Sequence, residues 1–413
     1  MTAFLGCLIY IGLCTLGDLC DYWSEDLGQG RIFSVFSQHR FSDLCRYLQC
    51  NDNATALLKD HPGHDKLHKI HPMMTILQES FKQHWVPHQQ NSIDEGMIPF
   101  TGRSSFKQYM KDKPTKWGFK IWKLVDSVSS YLYAFDIYTG KGEEREIGLG
   151  PHVVLQMADQ LQPGQPWMLF FDNFFSSVDL IEQLYKKGIF ATATIRPNRK
   201  GLPIEVTNAK LQPGEMIWRM KEPQIVVSKW KDTKDVLTIS SMCRAIPTEK
   251  DVVRKSQKGT AQKIVRPCPP SITAYRPNMG GVDTNDQMLS YDNLSRKAYR
   301  WWMPIFFDLF KQAIVNAWII EVSHKNAAAR SQKDFRIELY KALIGNFSSR
   351  KRAYGQQPNA VQRYDGIQHS VVKVDKRGFC KNDCGKKVQY KCSKCDIFLC
   401  IDCYQVYHMP QSN

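Results

Sequence analysis

Residues 3–16 form an almost unbroken apolar run, and a polar stretch, residues 18–26, follows it. No positively charged segment precedes the run and no small-residue cleavage site follows it. It is also short for a membrane span, so it is expected to be a buried helix. A chain that opens on a buried element leads us to expect further residues before Met1. Apolar positions then recur at helical spacing through Phe33, Val35, Phe36, Phe41, Leu44 and Leu48, and again from Met73 through Ile76, Leu77 and Phe81. Between them, residues 51–64 are rich in turn formers and read as a loop.

The texture changes near Asn91. Residues 92–100 are a short apolar run carrying Asp94, and a basic loop follows. Residues 119–126 and 131–138 read as strands, 153–161 as a helix, 167–171 as a buried strand ending on Asp172, 177–187 as a helix and 190–196 as a strand. That order predicts an α/β core with three antiparallel strands followed by parallel ones. Between 205 and 265 the strand-like pieces 226–230 and 236–242 are broken by Pro and Lys clusters, with no strong helix, which predicts a β-rich insertion. From 282 to 325 the pattern is helical and aromatic, and 323–352 reads as a further helix. Residues 356–376 read as a polar linker, and a Cys/His segment closes the chain. No internal repeat is evident.

Length and composition sharpen this picture. The chain has 413 residues, room for two to four domains, and 43% hydrophobic residues, which excludes a wholly disordered protein. Lys+Arg 56 against Asp+Glu 40 gives a net charge of +16. The positive charge is spread along the chain rather than set on one amphipathic helix, so nucleic acid is the expected partner and no membrane is. Of 13 cysteines, six fall between Cys380 and Cys403 and the rest are scattered, as expected of a chain kept in a reducing compartment. A nuclear location is expected, with Arg350-Lys351-Arg352 a weak import signal.

Four aspartates are candidates for chemistry. Asp94 sits in a short apolar strand and Asp172 at the carboxyl end of the most apolar one. Asp283 and Asp286 follow Gly280-Gly281, three residues apart and so on one face of any helix that begins there. Gathered carboxylates repel one another unless a hard divalent cation such as Mg²⁺ is held between them. Two such ions can activate a water or a 3′-hydroxyl and stabilise the leaving oxygen of a phosphodiester. Each aspartate also has a plainer reading as a turn former or helix cap, and pattern alone does not exclude Glu95, Asp126, Asp136 or Asp179.

Longer blocks narrow the choice. Ser92-Ile93-Asp94-Glu95 with Phe100-Thr101-Gly102-Arg103 and Lys113-Pro114-Thr115-Lys116-Trp117-Gly118 resembles the first catalytic block of piggyBac transposases. Phe171-Asp172-Asn173-Phe174-Phe175-Ser176-Ser177 resembles the second, and residues 280–288, Gly280 through Met288, the third. The basic aromatic stretch from Arg296-Lys297 through Arg300-Trp301-Trp302 also fits, and the resemblance covers nearly the whole chain. It implies an RNase H-like catalytic core with a β-rich insertion, flanked by a helical dimerisation and DNA-binding domain and followed by a zinc-binding cysteine-rich domain. The expected boundaries are 1–88 for the first helical part, 89–204 and 266–325 for the core, 205–265 for the insertion, 326–376 for a helical linker and 377–413 for the cysteine-rich domain. The resemblance further implies a homodimer that cuts and pastes DNA at TTAA sites through a hairpin at the excised ends. It makes Asp94, Asp172 and Asp283 the catalytic triad and Asp286 a fourth carboxylate. Members of this family are also co-opted by host genomes as DNA-binding proteins that do not cut.

Cys380, Cys384, Cys392, Cys395, Cys400, Cys403 and His408 have the short pair spacings that bring thiolates to tetrahedral Zn²⁺. A cross-braced arrangement puts Cys380, Cys384, Cys400 and Cys403 on one ion. Cys392, Cys395 and His408 then hold a second, with His369, an Asp or water completing it. For DNA, Arg103, Lys107, Lys111, Lys113 and Lys116, directly after Asp94, and Arg296, Lys297 and Arg300 in the late helix are candidate phosphate contacts.

Overall fold

A computed structural model describes residues 1–413 apart from 29, 112, 141–147, 223, 257–262, 293, 295–298, 326–329, 350–368, 383 and 410–413. The chain divides into two compact units, one of residues 1–7, 16–47 and 343–413 and one of residues 8–15 and 48–342. The opening apolar run is the helix α1 (Thr2–Leu13). In the first unit α2 (Gly30–Val35) and α3 (Gln38–Tyr47) follow, with the Phe41 ring packed at tilted angles against Phe4, Trp23 and Phe36.

The second unit is built on a nine-stranded sheet. Its elements in chain order are α4 (His71–His84), β1 (Gln90–Pro99), β2 (Gln108–Tyr109), β3 (Trp117–Asp126), β4 (Leu132–Ile137), α5 (Leu149–Ala158), β5 (Met168–Phe171), α6 (Val178–Lys186) and β6 (Phe190–Thr194). A single turn, α7 (Ile204–Thr207), precedes β7 (Met216–Lys221), β8 (Ile225–Lys231) and β9 (Asp235–Ser240). Then come the hairpin of β10 (Val252–Ser256) and β11 (Lys263–Pro267), α8 (Pro270–Met279), α9 (Gly281–Ser290), α10 (Trp302–Lys325) and α11 (Gln332–Ile344). The sheet order is β2-β3-β1-β5-β6-β9-β8-β7, with β4 on β3. β1 pairs antiparallel with β3 and β3 with β4, whereas β1, β5 and β6 run parallel, as the strand order predicts.

Alternation along β1 divides the two faces. Ile93 points into a core that also takes Trp122 and Leu124 of β3, Leu169 and Phe171 of β5, and the apolar sides of α5 and α6. Ser177 caps α6, accepting the Leu180 amide at 3.1 Å, a contact typically worth about 1 kcal/mol. The opposite face carries Ser92, Asp94 and Gly96 and receives α8, α9 and α10.

Within residues 205–265, where the sequence predicts a β-rich insertion without placing it, β9 pairs antiparallel with β6 (Thr192 opposite Ser240), and β8 and β7 continue the same sheet. Two features differ from the sequence reading. Helix α8 went unpredicted because Pro269, Pro270 and Pro277 break the pattern. Two of these lie at its start, where a missing N–H costs nothing, and one lies inside it. The expected helix at 323–352 is shorter, ending at Ile344.

Asp126 fixes the entry into β1. It is fully buried, and Oδ2 accepts from Trp85 Nε1 at 3.0 Å, His88 Nδ1 at 2.8 Å and the His88 amide at 3.2 Å. Oδ1 accepts from the Val128 amide at 3.0 Å. Burial pushes its carboxyl up, but the bonds from His88, Trp85 and the two amides outweigh it, and the net shift is downward. Replacing Asp126 by Ala is expected to destabilise the fold by about 2–4 kcal/mol, because several buried donors lose their acceptor at once. A carboxylate held below its ordinary value contributes stability that is present above that value and lost as pH falls through the folded one. Urea denaturation of the parent chain and Asp126→Asn should therefore converge as the solution is acidified; a gap that stays constant would refute this account.

Candidate active site and metal-binding module

The parallel ladder between β1 and β5 ends on Ile93 opposite Phe171. Asp94 and Asp172 come next, so they stand level where the ladder ends: Asp172 directly follows the carboxyl end of β5, where open sheets place their sites, and Asp94 lies midway along β1, which runs on to Pro99. Asp94 Oδ1 accepts the Glu95 amide at 2.8 Å, and Asp172 Oδ1 accepts the Phe174 amide at 2.8 Å in a local turn. A backbone N–H thus occupies one oxygen of each, within β1 for Asp94 and in a turn for Asp172.

Helix α9 brings the other two aspartates. Gly281 lies so close to the sheet that a Cβ there would stand 2.4 Å from Ser92 Oγ; glycine is what lets the helix start against β1. Asp283, in the first turn, is exposed, and the helix amino end favours its charge. Asp286, one turn on, accepts from Lys123 Nζ at 2.6 Å.

Electrostatically these groups form one site. Burial pushes the Asp94 carboxyl up to about 8, with Glu95 and Asp172 adding to the rise and Lys113 and the Glu95 amide opposing it. Burial likewise raises Asp172 against the Phe174 amide, Arg196 and Lys113. Lys113 sits among Asp94, Glu95, Asp283 and Asp286 and bonds the Glu95 carbonyl at 3.0 Å. Glu95 Oε2 is buried without a partner. Negative charge at the sheet end therefore exceeds the positive charge supplied there, which is the condition a divalent cation would relieve, and oxygen donors suit Mg²⁺. The aspartates are not closed into a cage: among the described residues only the two Cys/His groups bring three or more such ligand atoms within 4.8 Å of one another.

Of the rival carboxylates Glu95 lies at the site, and the other three lie elsewhere: Asp126 is consumed by its donors, Asp179 accepts from Gln183, and Asp136 lines a separate cavity with His64 and His71. Residues the sequence reading missed are Lys120, Lys123 and Tyr275. Lys120 is buried with Nζ 4.0 Å from the Trp122 ring centre, and Tyr275 on α8, raised to about 12 by burial, feels Asp172, Asp94 and Asp283. The signal for the lysines was present, since both interrupt an otherwise apolar strand.

The candidate phosphate contacts separate into two kinds. Arg103, Lys111 and Lys116 are exposed. Lys107 and Lys113 are half-buried and engaged, Lys107 donating to the Gly102 carbonyl at 2.7 Å. Arg300 is exposed and precedes α10 instead of lying within it, with its guanidinium 5.3 Å from the Trp302 ring. Arg296 and Lys297 lie outside the described residues. Trp302, Phe306 and Phe307 are buried, as their helical repetition predicts.

In the other unit, β12 (Val371–Phe379), β13 (Lys387–Cys392) and α12 (Ile401–His408) carry the cysteines. Cys380, Cys384, Cys400 and Cys403 form one group and His369, Cys392, Cys395 and His408 the other. This is the cross-braced pairing, with His369 as the fourth ligand. Cys384 and Cys400 sulfurs are 3.7 Å apart. Four thiolates at about 2.3 Å from Zn²⁺ require an edge near 3.8 Å, whereas a disulfide needs about 2.05 Å. His369 Nδ1 is 3.3 Å from Cys392 Sγ, and His408 Nε2 is 3.5 Å from Cys395 Sγ. His408 Nδ1 meets the Tyr404 carbonyl at 2.8 Å, which orients Nε2 toward the ligand set. The Lys386 amide pulls the Cys384 thiol down to about 7. The groups are compatible with zinc. The expected linker at 356–376 is partly strand: β12 begins at Val371 and is exposed on both faces, so it lacks the alternation that marks strands.

Comparison with known proteins bears on the family and the fold. The profile of a family described as Transposase IS4 matches residues 1–318. The human PiggyBac transposable element-derived protein 3 is 28% identical over 425 residues, covering 98% of this chain and 69% of that protein. The human PiggyBac transposable element-derived protein 2 is 26% identical over 393 residues, covering 91% of this chain and 64% of that protein. Among solved structures, a cryo-EM structure of a piggyBac transposase synaptic complex with hairpin DNA shares the fold, with a TM-score of 0.73 and 23% identity over 98% of this chain and 87% of that one. The chain belongs to the transposase IS4 family, of the piggyBac type.

If both Cys/His groups hold zinc, metal analysis of the purified chain should find two ions. His369→Ala should lose one of them while Cys384→Ser loses the other; a parent chain holding one would contradict the cross-braced pairing.

Proposed function

We propose that this chain is a metal-dependent DNA transposase of the cut-and-paste type, acting at TTAA sites, with Asp94, Asp172 and Asp283 as its catalytic carboxylates. The observation that carries the reading is the level placement of Asp94 and Asp172 beside Asp283 in a site short of positive charge. The strand order, antiparallel then parallel from β4 through β6, supports an RNase H-like core. Mg²⁺ bound by these carboxylates would activate a water or 3′-hydroxyl and stabilise the leaving oxygen of a phosphodiester. Arg103, Lys111 and Lys116 neutralise phosphates beside the cut, and Lys113 keeps the acidic end from repelling the strand. The cysteine-rich module, with zinc in both sites, adds a second DNA contact. The chain works in the nucleus as a homodimer.

A second reading, a transposase-derived DNA-binding protein that does not cut, is favoured by the ion pair that already occupies Asp286 and by the human relatives' names as transposable element-derived proteins.

Purified chain mixed with DNA ends flanked by TTAA is expected to nick and form hairpins with Mg²⁺ but not with EDTA, and Asp172→Ala to abolish both. Binding without cleavage would move the chain to the second reading. Affinity should fall steeply with salt, and Lys111→Ala or Lys116→Ala should each flatten the log–log slope by about one unit. An affinity indifferent to salt would remove the DNA assignment altogether.

A further inference from the structure

We propose that Lys123 is a built-in counter-cation that takes Asp286 out of the metal-ligand set, so that the DNA-free chain holds a single divalent ion on Asp94, Asp172 and Asp283. The inference rests on the reading of these carboxylates as a metal site, and it departs from the two ions expected from the sequence.

Lys123 lies mid-strand in β3, opposite Asp94 in the antiparallel ladder, and its side chain is 2% exposed. Its Nζ donates to Asp286 Oδ1 at 2.6 Å and to Asn285 Oδ1 at 3.1 Å. Asn285 is itself buried, and its amide donates to the Ser130 carbonyl at 3.0 Å, which turns its oxygen toward the lysine. Asp308 of α10 also lies within reach of this ammonium, although burial pushes its own carboxyl up. Gly96 leaves room for this pair beside β1: a Cβ there would come within 3.1 Å of Lys123 Cε and 3.5 Å of Asp286 Oδ2.

A divalent ion drawing on Asp286 would stand beside a fixed ammonium in a poorly screened setting, where like charges repel strongly. It would also take a partner from a buried lysine, which is costly. Among the described residues Asp283, a turn earlier on α9, has no such ion pair, and the charge of Lys113 reaches it. Two carboxylates of one helix therefore have different tasks: Asp286 anchors α9 to β3, and Asp283 is left for the ion.

The test is Mn²⁺ binding to the zinc-loaded, DNA-free full chain, read by the EPR signal of free Mn²⁺. One bound ion per chain is expected. Asp286→Asn should keep that ion with affinity within about threefold of the parent, and Asp94→Asn should weaken it more than about tenfold. Lys123→Met should raise the count to two or tighten the first ion at least about tenfold. Two ions in the parent chain, a loss beyond about tenfold in Asp286→Asn, or a folded Lys123→Met whose count and affinity do not change would each overturn the proposal. If Lys123→Met does not fold, Asp286→Asn decides. A chain that binds no Mn²⁺ at all would sink the metal-site reading itself, whereas one ion lost on Asp286→Asn would sink only the role of Lys123.

Discussion

The site depends on the register between β1 and β5. In a parallel ladder one residue of slip moves every side chain to the other face, so the pairing of Ile93 with Phe171 decides that Asp94 and Asp172 stand level and leave the apolar core together. That register is held by burial, since Ile93 and Phe171 both belong to the core packed under α5 and α6. It is held also by the antiparallel ladder that pairs β1 with β3 from Asn91 opposite Asp126 to Pro99 opposite Gly118. Asp126 sits at the start of this ladder and collects donors from the segment that enters β1, so one buried carboxylate fixes where the strand begins.

Charge is distributed against this frame in two opposite ways. The chain as a whole is strongly positive and draws in a polyanion from a distance, with the reach set by salt. The sheet end is locally negative, with Asp94 poorly solvated beside Glu95. A phosphate drawn by the first field is repelled by the second unless a cation intervenes. The buried lysines sharpen the contrast. Lys120 and Lys123 belong to one strand and flank the acidic end, yet each is spoken for, Lys120 by aromatic rings and Lys123 by Asp286. Neither is free to neutralise Asp94, so the shortage of positive charge at that carboxylate survives the presence of nearby lysines.

The parts of the fold legible in sequence were those where local pattern and tertiary environment agree. The strands at 117–126, 132–137 and 168–171 are largely apolar runs because both faces are covered, and α6 declares itself by Ser177 and an apolar stripe. Helix α8 was illegible because proline is read as a breaker, although the first turn of a helix tolerates it. The sheet extension through β9 was illegible for another reason: pairing partners are set by long-range contacts, and nothing in residues 235–240 distinguishes an added strand from a separate domain. The aspartates were legible as a motif, but their unequal standing was not. That Lys123 is ion-paired with Asp286 and not with Asp283 depends on how α9 is pressed against the sheet by Gly281, a contact no spacing rule contains.

The cysteine-rich module obeys a different economy. It has a short hairpin whose first strand is exposed on both faces and one helix of two turns, and its small apolar cluster is made largely of the cysteines themselves with Ile397, Leu399 and Tyr407. Such a segment buries too little apolar surface to offset the entropy of ordering it. Its ligands alternate along the chain, His369 with one group, Cys380 and Cys384 with the other, then Cys392 and Cys395, Cys400 and Cys403, and finally His408. Interleaving means that neither group can form without drawing the chain past the other. Metal at one site would therefore shorten the loops that the second must close, and the two sites should order this module together.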